Sequence, residues 1–282
     1  MKKVCVALTV LVLVLLVVSL AFTLLQKSVP LTSKVALIRI EGPIMDSKSA
    51  VDEIKEYVKD ASIKAIVLRI DSPGGAVAPS QEIYAEVKKA AASKKVVVSM
   101  GSVAASGGYY IACPATKIIA NPGTLTGSIG VIMEIPNIEG LMSKIGIRTE
   151  VIKSGDNKDI GSMFRTMRKE ERELLQGVMD NVHEQFIRAV AEGRRMKIED
   201  VRKIADGRIF TGEQAAANGL VNELGTLDDA VRAAGKLAGI KEEPEVVTKK
   251  EKLSFIDLLR NKFPREITDV FPTVKIKYLY AP

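Results

Sequence analysis

The sequence predicts an α/β fold with a mostly parallel sheet, preceded by one membrane-spanning helix. Short apolar runs recur along the chain, and longer stretches of helical periodicity lie between them. In front of both, the 22 residues from Val4 to Leu25 carry no formal charge. Strands separated by helices need crossover connections, which set neighbouring strands parallel.

At about 1.5 Å per residue, the Val4–Leu25 segment is long enough to span a hydrocarbon core of roughly 30 Å as a helix. Lys2 and Lys3 precede it, and Gln26, Lys27 and Ser28 come after it. A secretory signal would have a shorter apolar region and then a small-residue cleavage site. The one candidate, Ser19-Leu20-Ala21, is succeeded by apolar Phe22, Leu24 and Leu25. Residues 1–28 are therefore expected to be a retained single-pass anchor in the cell membrane. Charge alone does not orient it, because Lys27, Lys34 and Arg39 nearly balance the other side.

After Pro30, Val35–Ile40, Ala65–Ile70 and Val96–Met100 read as strands, and Ala50–Val58 and Ser80–Ala92 as helices. Ile118–Ala120, Ser128–Met133 and Thr149–Ile152 are expected as further strands. From Lys169 to about Met196 the apolar positions Leu174, Val178, Val182, Phe186 and Val190 recur at helical spacing. Shorter helices are expected over Glu199–Ala205, Gly212–Ala217 and Asp228–Ala238, with Thr211 and Gln214 forming a capping box. Residues 29–240 thus read as the folded domain and 241–282 as a charged tail.

Composition narrows the function. The net charge of +7 is spread along the chain and there is no tryptophan, which argues against a nucleic-acid partner. Cys5 and Cys113 are too far apart in character to suggest a bridge, and no Cys/His spacing suits a metal. No cofactor is expected.

Two glycine-bearing turns lie at strand ends, where open α/β sheets place ligands. In Asp71-Ser72-Pro73-Gly74-Gly75 the paired glycines let backbone N–H groups approach a ligand. In the other, Ser106 precedes Gly107-Gly108 and a short helix. A serine there can be an ordinary N-cap, or a nucleophile whose oxyanion the helix start stabilises. A nucleophile needs a base, and the only histidine, His183, falls among packing and solvent positions of the long helix. A neutral lysine is the alternative. The loop Lys153–Gly161 comes after an expected strand, but spacing does not single out Lys158 among the lysines.

The motifs DSPGG (Asp71–Gly75), GSVAASGGYYIA (Gly101–Ala112), NPGTLTGSIGVI (Asn121–Ile132), KSGDNKDIG (Lys153–Gly161) and GRIFTGEQAAANGLVNELG (Gly207–Gly225) occur in that order. Together they resemble the signal peptide peptidase A family, which is related in fold to Clp proteases and crotonases. The resemblance implies repeated ββα units. It also implies Ser106 as nucleophile, Lys158 as general base, the N–H groups of Gly75 and Gly107 as oxyanion hole, and Ser128 as the group orienting the lysine. Longer members carry two tandem copies of the domain. This chain has one, so Ser106 and Lys158 are expected from one protomer within a ring-like homo-oligomer. The implied substrates are signal peptides and other apolar peptides at the membrane, with the catalytic domain on the extracytoplasmic side. An acyl-CoA enzyme of the crotonase type and a catalytically silent membrane scaffold are the rival readings; neither needs a reactive Ser106.

Overall fold

A computed structural model describes residues 33–249, the helical residues 13–16 and 19, and the backbone of residues 277–279. The expected anchor lies almost wholly outside the described residues. Among these, no helix is long and apolar enough to cross a membrane.

The domain opens with β1 (Lys34–Glu41), α1 (Lys48–Lys59), β2 (Ile63–Ser72) and the short β3 (Gly74–Ala76). Then come α2 (Val77–Ser93), β4 (Lys95–Ala105), α3 (Gly107–Ala112), β5 (Lys117–Ala120) and β6 (Leu125–Gly127). A single helical turn, α4 (Glu139–Lys144), precedes the long α5 (Lys169–Arg194). The remainder is α6 (Ile198–Ile204), β7 (Ile209–Thr211), α7 (Gly212–Ala217), β8 (Glu223–Leu224), α8 (Leu227–Leu237), β9 (Glu245–Val247) and β10 (Lys277–Leu279).

The main sheet runs β7-β6-β4-β2-β1-β9, with β5 pairing the first half of β4 and β8 pairing the far side of β5. Only β6 and β7 pair antiparallel within it. Helices cover both faces, as a parallel sheet requires. Alternate residues of each strand therefore enter different cores. Ile38, Ile40, Leu68, Ile70, Val98 and Met100 face the core closed by α2, α3 and α5. Val35, Leu37, Val67 and Val97 face Ala230 and Ala234 of α8. Each fully buried aliphatic side chain stabilises the fold by roughly 1.5–3 kcal/mol. Leu68→Ala, at a position with no exposure, is accordingly expected to cost about 2–5 kcal/mol in a denaturant titration.

β4 forks the sheet. Val97–Met100 pair with β5, whereas Val103–Ala105 pair with β6. The change of partner coincides with a bulge: Ile70 pairs with Met100 but Ser72 with Ala104. Asp71 fills that bulge, its Oδ1 accepting a hydrogen bond from Val103 N at 3.0 Å. A Cβ on Gly101 would lie 2.7 Å from the same carboxylate, so only glycine fits there. A bulge re-aims the strand beyond it, and this strand ends at Ser106. Asp71→Ala is expected to lower stability by about 1–3 kcal/mol and to slow catalysis; thermal melts and peptide turnover measured on one preparation test both.

Some expectations fail. Ser128–Met133 and Thr149–Ile152 are not strands, and β4 runs on through Gly101–Ala105, past the strand end expected at Met100. Between Gly130 and Arg168 the chain forms an arm with α4 as its only helix or strand. Leu141, Ile145, Ile147 and Ile152 are exposed on it, Ile152 by 99%. A strand needs a neighbour to pair with and a surface to cover it; Thr149–Ile152 has neither among the described residues, and in Ser128–Met133 only Ser128 and Ile129 are buried, bonded to Arg208 O and Gly207 N. The stripe expected along α5 is likewise buried only in its second half: Phe186 and Val190 are inside, while Leu174 and Val178 are 51% and 44% exposed. β9 joins the sheet edge next to β1 from the segment read as a tail.

Candidate active site

Ser106 sits between the end of β4 and the start of α3 with φ 53° and ψ −117°. A non-glycine residue so placed stores about 1–3 kcal/mol of backbone strain. Both neighbouring elements hold it there. Ser106 N donates to Gly127 O of β6 at 2.8 Å, and Tyr110 N donates to Ser106 O at 2.8 Å. α3 is in turn pinned by aromatics. Tyr109 Oη donates to Leu220 O at 2.9 Å, and the Tyr110 ring packs 5.0 Å from Tyr84 and 4.9 Å from Phe186. The serine is 1% exposed, and its Oγ has no hydrogen-bond partner among the described residues. An ordinary N-cap hydroxyl would bond the first turn of its helix. This one does not.

The two glycine turns meet at this serine. A Cβ on Gly107 would lie 2.6 Å from Ser80 Oγ and 3.1 Å from Gly75 N. A Cβ on Gly75 would lie 2.1 Å from Ile44 O, and one on Gly108 2.8 Å from Ser72 O. No side chain fits at any of the three without displacing backbone or a close neighbour. Gly74 takes φ 98°, and Ser72 Oγ accepts from Gly74 N at 3.1 Å. Ser106, Gly107 and Gly75 are thus brought together by β3, β4 and α3.

Ser128 comes directly after the residue whose carbonyl holds Ser106. It is 8% exposed, has φ 49°, and its N donates to Arg208 O at 2.8 Å. It lines a cleft of about 500 Å³ with Val131, Ile132, Met179, His183 and Asp206. His183 Nε2 is buried without a hydrogen-bond partner among the described residues, Ser106 Oγ included. Buried Cys113 has its thiol pushed well above the ordinary range by desolvation, which makes it unreactive.

Lys158 lies exposed on the arm. Because Ser106 Oγ has no partner, Lys158 Nζ is outside hydrogen-bond reach of it in the single chain. The loop around Lys158 is nevertheless fastened. Asp159 is held by Arg165 Nε at 2.8 Å and by Lys153 Nζ at 2.6 Å. Arg165 continues to Glu171 in the first turn of α5 at 2.5 Å, and Arg168 meets the same carboxylate at 2.7 Å. Glu171 is fully buried and also accepts from Arg168 N at 2.9 Å. Sequence reasoning missed this network: apart from the i,i+3 pair Arg168–Glu171, its links Lys153–Asp159, Arg165–Asp159 and Arg165–Glu171 stand six residues apart and obey no helical spacing.

Hydrogen bonds from Arg165, then Lys153, hold the Asp159 carboxyl well below the ordinary carboxylate range; Arg165, then Arg168, do the same for Glu171. Depressed values stabilise the arm above the unfolded carboxylate range of roughly pH 4, and that stabilisation is lost as pH falls below it. Limited proteolysis should therefore leave residues 153–168 intact at neutral pH and cut them at about pH 2. Arg165→Met should loosen the loop at neutral pH, lowering kcat roughly tenfold while KM stays within about twofold, the pattern of a misplaced reacting group.

A model of peptidase family S49 matches residues 88–241, and one of Clp protease matches residues 31–125. The chain is 47% identical over 208 residues to a Synechocystis protein that carries a protease name, covering 73% of this chain and 75% of the relative. It is 42% identical to Protease 4 of Salmonella typhi over 74% of this chain and 35% of that protein. It is 35% identical to the chloroplastic serine protease SPPA of Arabidopsis thaliana over 73% of this chain and 31% of that protein. The chain thus spans about a third of each of the latter two. With its Clp protease-like α/β fold, the chain belongs to peptidase family S49, the family of protease 4 and signal peptide peptidase A, and is a serine protease.

Proposed function

We propose that this serine protease is a membrane-anchored endopeptidase with a Ser106–Lys158 dyad. It degrades signal peptides left in the membrane, and other apolar or misfolded segments, through an acyl-enzyme. The observation that carries this reading is the strained, buried Ser106 hydroxyl, left unpartnered beside two glycine N–H groups.

In the first half-reaction Ser106 Oγ attacks the scissile carbonyl and its proton passes to neutral Lys158 Nζ. The oxyanion accepts hydrogen bonds from the N–H groups of Gly75 and Gly107, each worth roughly 3–4 kcal/mol in the transition state. Lys158 then gives its proton to the leaving amine, and the C–N bond breaks. In the second half a water loses a proton to Lys158, attacks the ester, and releases the acid as Ser106 recovers its proton. Ser128 orients the lysine.

A lysine serves as base only when neutral, and burial is what favours the neutral form. The arm carrying Lys158 is exposed, so the working enzyme must cover it. The bare apolar residues of the arm and of the first half of α5 suit contact with further copies. That favours the homo-oligomer, ring-like by family analogy. The apolar segment Val4–Leu25 supplies the anchor, with the domain on the extracytoplasmic side.

A lysine base makes kcat/KM rise toward alkaline pH. Measured on a fluorogenic apolar peptide between pH 6 and 10, a rise of about tenfold per pH unit below the plateau is expected. A flat profile would remove lysine from the mechanism.

A further inference from the structure

Ser106 stands at one end of β4, and a second cleft stands at the other. Lys95 opens β4, Thr116 directly precedes β5, and Asn222 directly precedes β8. These strands pair in parallel, so the three residues share the end of the sheet from which the strands start. The 11 residues of β4 set that end roughly 35 Å from Ser106.

The cleft there measures about 460 Å³. Lys88, Lys95, Arg194 and Arg195 line it against one carboxylate, Glu192, which gives four cations to one anion. The C-terminal ends of α2 and α5 close beside it and offset about half a charge each, leaving about +2. Glu192 is already taken, because Lys88 Nζ donates to it at 2.6 Å. Arg194 is held in place: its Nη2 donates to Asn222 Oδ1 at 2.6 Å, and the same oxygen accepts from Ile118 N of β5 at 2.8 Å. Arg194 Nε is buried and has no hydrogen-bond partner among the described residues. A buried donor without a partner is costly, most of all on a charged group. Thr116 Oγ1 accepts from Val96 N at 3.2 Å, which leaves its O–H as a donor. Lys95 and Arg195 make no side-chain bond among the described residues. Gly193 sets how closely the helices meet: a Cβ there would lie 2.3 Å from Cys113 O, so α5 closes directly on the end of α3.

We propose that this cleft binds a phosphate ester, and that in the anchored protein the ester is the headgroup of an anionic lipid. The donors fit that chemistry: a planar guanidinium held by Asn222, two free cations and a hydroxyl, with the one carboxylate already paired. A phosphate oxygen supplies the acceptor that Arg194 Nε lacks. The lipid as source follows from how the chain is connected. β1 starts at Lys34, and the parallel register through β2 puts that start at the same end of the sheet as Lys95. Residues 26–33 alone join Lys34 to the apolar segment Val4–Leu25. The lipid clause rests on the anchor proposed above; the anion site itself does not.

The test compares the full-length protein with its Lys95→Gln, Arg195→Gln double variant. Glutamine removes both charges, and at φ 55° it bears the same backbone strain as Arg195. Hydrogen exchange of residues 113–117 and 192–196 is read in two settings, with exchange across β1 and β2 as the fold control. One is dodecyl maltoside with glycerol phosphate; the other is nanodiscs of phosphatidylcholine with or without phosphatidylglycerol. With glycerol phosphate at about ten times its dissociation constant, exchange in the cleft should slow about tenfold. Phosphatidylglycerol should slow it likewise, and the double variant should lose both effects. Sodium chloride at matched ionic strength should not reproduce the slowing. No slowing by either probe would overturn the site, as would equal slowing by sodium chloride or in the double variant. Slowing by glycerol phosphate but not by phosphatidylglycerol would overturn the lipid as its source. Protein released from membranes by carbonate would refute the anchor and with it the lipid clause, while the detergent setting still decides the site.

Discussion

Ser106→Ala is expected to lower turnover of apolar peptides by about 10⁴-fold or more while leaving the protein folded and equally stable. The two halves of that prediction have different origins. Turnover falls because the other hydroxyls at the meeting of the two glycine turns are engaged: Ser80 Oγ donates to Ala76 O at 2.9 Å, and Ser72 Oγ accepts from Gly74 N at 3.1 Å. Stability is untouched because Ser106 Oγ makes no hydrogen bond that alanine would lose. Ser106→Gly sharpens the point. At φ 53° and ψ −117° glycine relieves strain that serine and alanine both bear, so this inactive protein should be more stable by about 1 kcal/mol, or roughly 2–4 °C in Tm. An active site that gains stability when its nucleophile is deleted is storing strain for function. A Tm that falls by several degrees in Ser106→Gly would show that the serine instead belongs to the structural framework. Lys158→Ala should cost comparable activity, through loss of the base.

The second large effect belongs to Gly75. Its Cβ would lie 2.1 Å from Ile44 O, a backbone atom that cannot rotate away. Gly75→Ala must therefore push β3 off Ile44 and carry the Gly75 N–H out of line. Loss of one oxyanion donor is worth about 10²–10³ in kcat, and overpacking adds about 1–3 kcal/mol of destabilisation. Gly123→Ala is the matched control, since nothing lies within 4 Å of its added Cβ. Steady-state kinetics and thermal melts on the pair should separate them by at least about two orders of magnitude in kcat. Equal kinetics would remove Gly75 from the oxyanion hole.

The sheet was legible in the sequence because Val35–Ile40, Ala65–Ile70 and Val96–Met100 are buried on both faces along most of their length and so read as apolar runs with a single interruption each, at Arg39, Arg69 and Ser99. The Thr211–Gln214 capping box was legible because its bonds are local: Thr211 N to Gln214 Oε1 at 3.0 Å, and Gln214 N to Thr211 Oγ1 at 3.2 Å. Thr149–Ile152 misled for the same reason that the core strands did not. Its β-branched residues carry the signal of a strand, but no partner lies among the described residues, and Ile152 stays bare. Gly101–Ala105 misled the other way. Its glycine suggests a strand end at Met100, yet Asp71 occupies the space beside it and the strand continues. Pairing of Tyr278 with Gly75 joins residues about two hundred positions apart, and no local pattern announces such a contact.

At the site, the glycines and Ser106 could be argued from residues alone, because backbone approach and a helix start have recognisable sequence signatures. Lys158 could not. It was selected by family resemblance, and in the single chain it stands exposed on the arm, held through Asp159 and Arg165 rather than through any contact with the serine. Nucleophile and base therefore rest on different grounds, and one experiment should address both.

That experiment is labelling by a fluorophosphonate, with the modified residue mapped by mass spectrometry across a pH series. Modification of Ser106 alone is predicted, at a rate that rises with pH and falls at least about a hundredfold in Lys158→Ala. Labelling of another residue would contradict the central claim, as would an unlabelled Ser106 in a protein that still cleaves peptides.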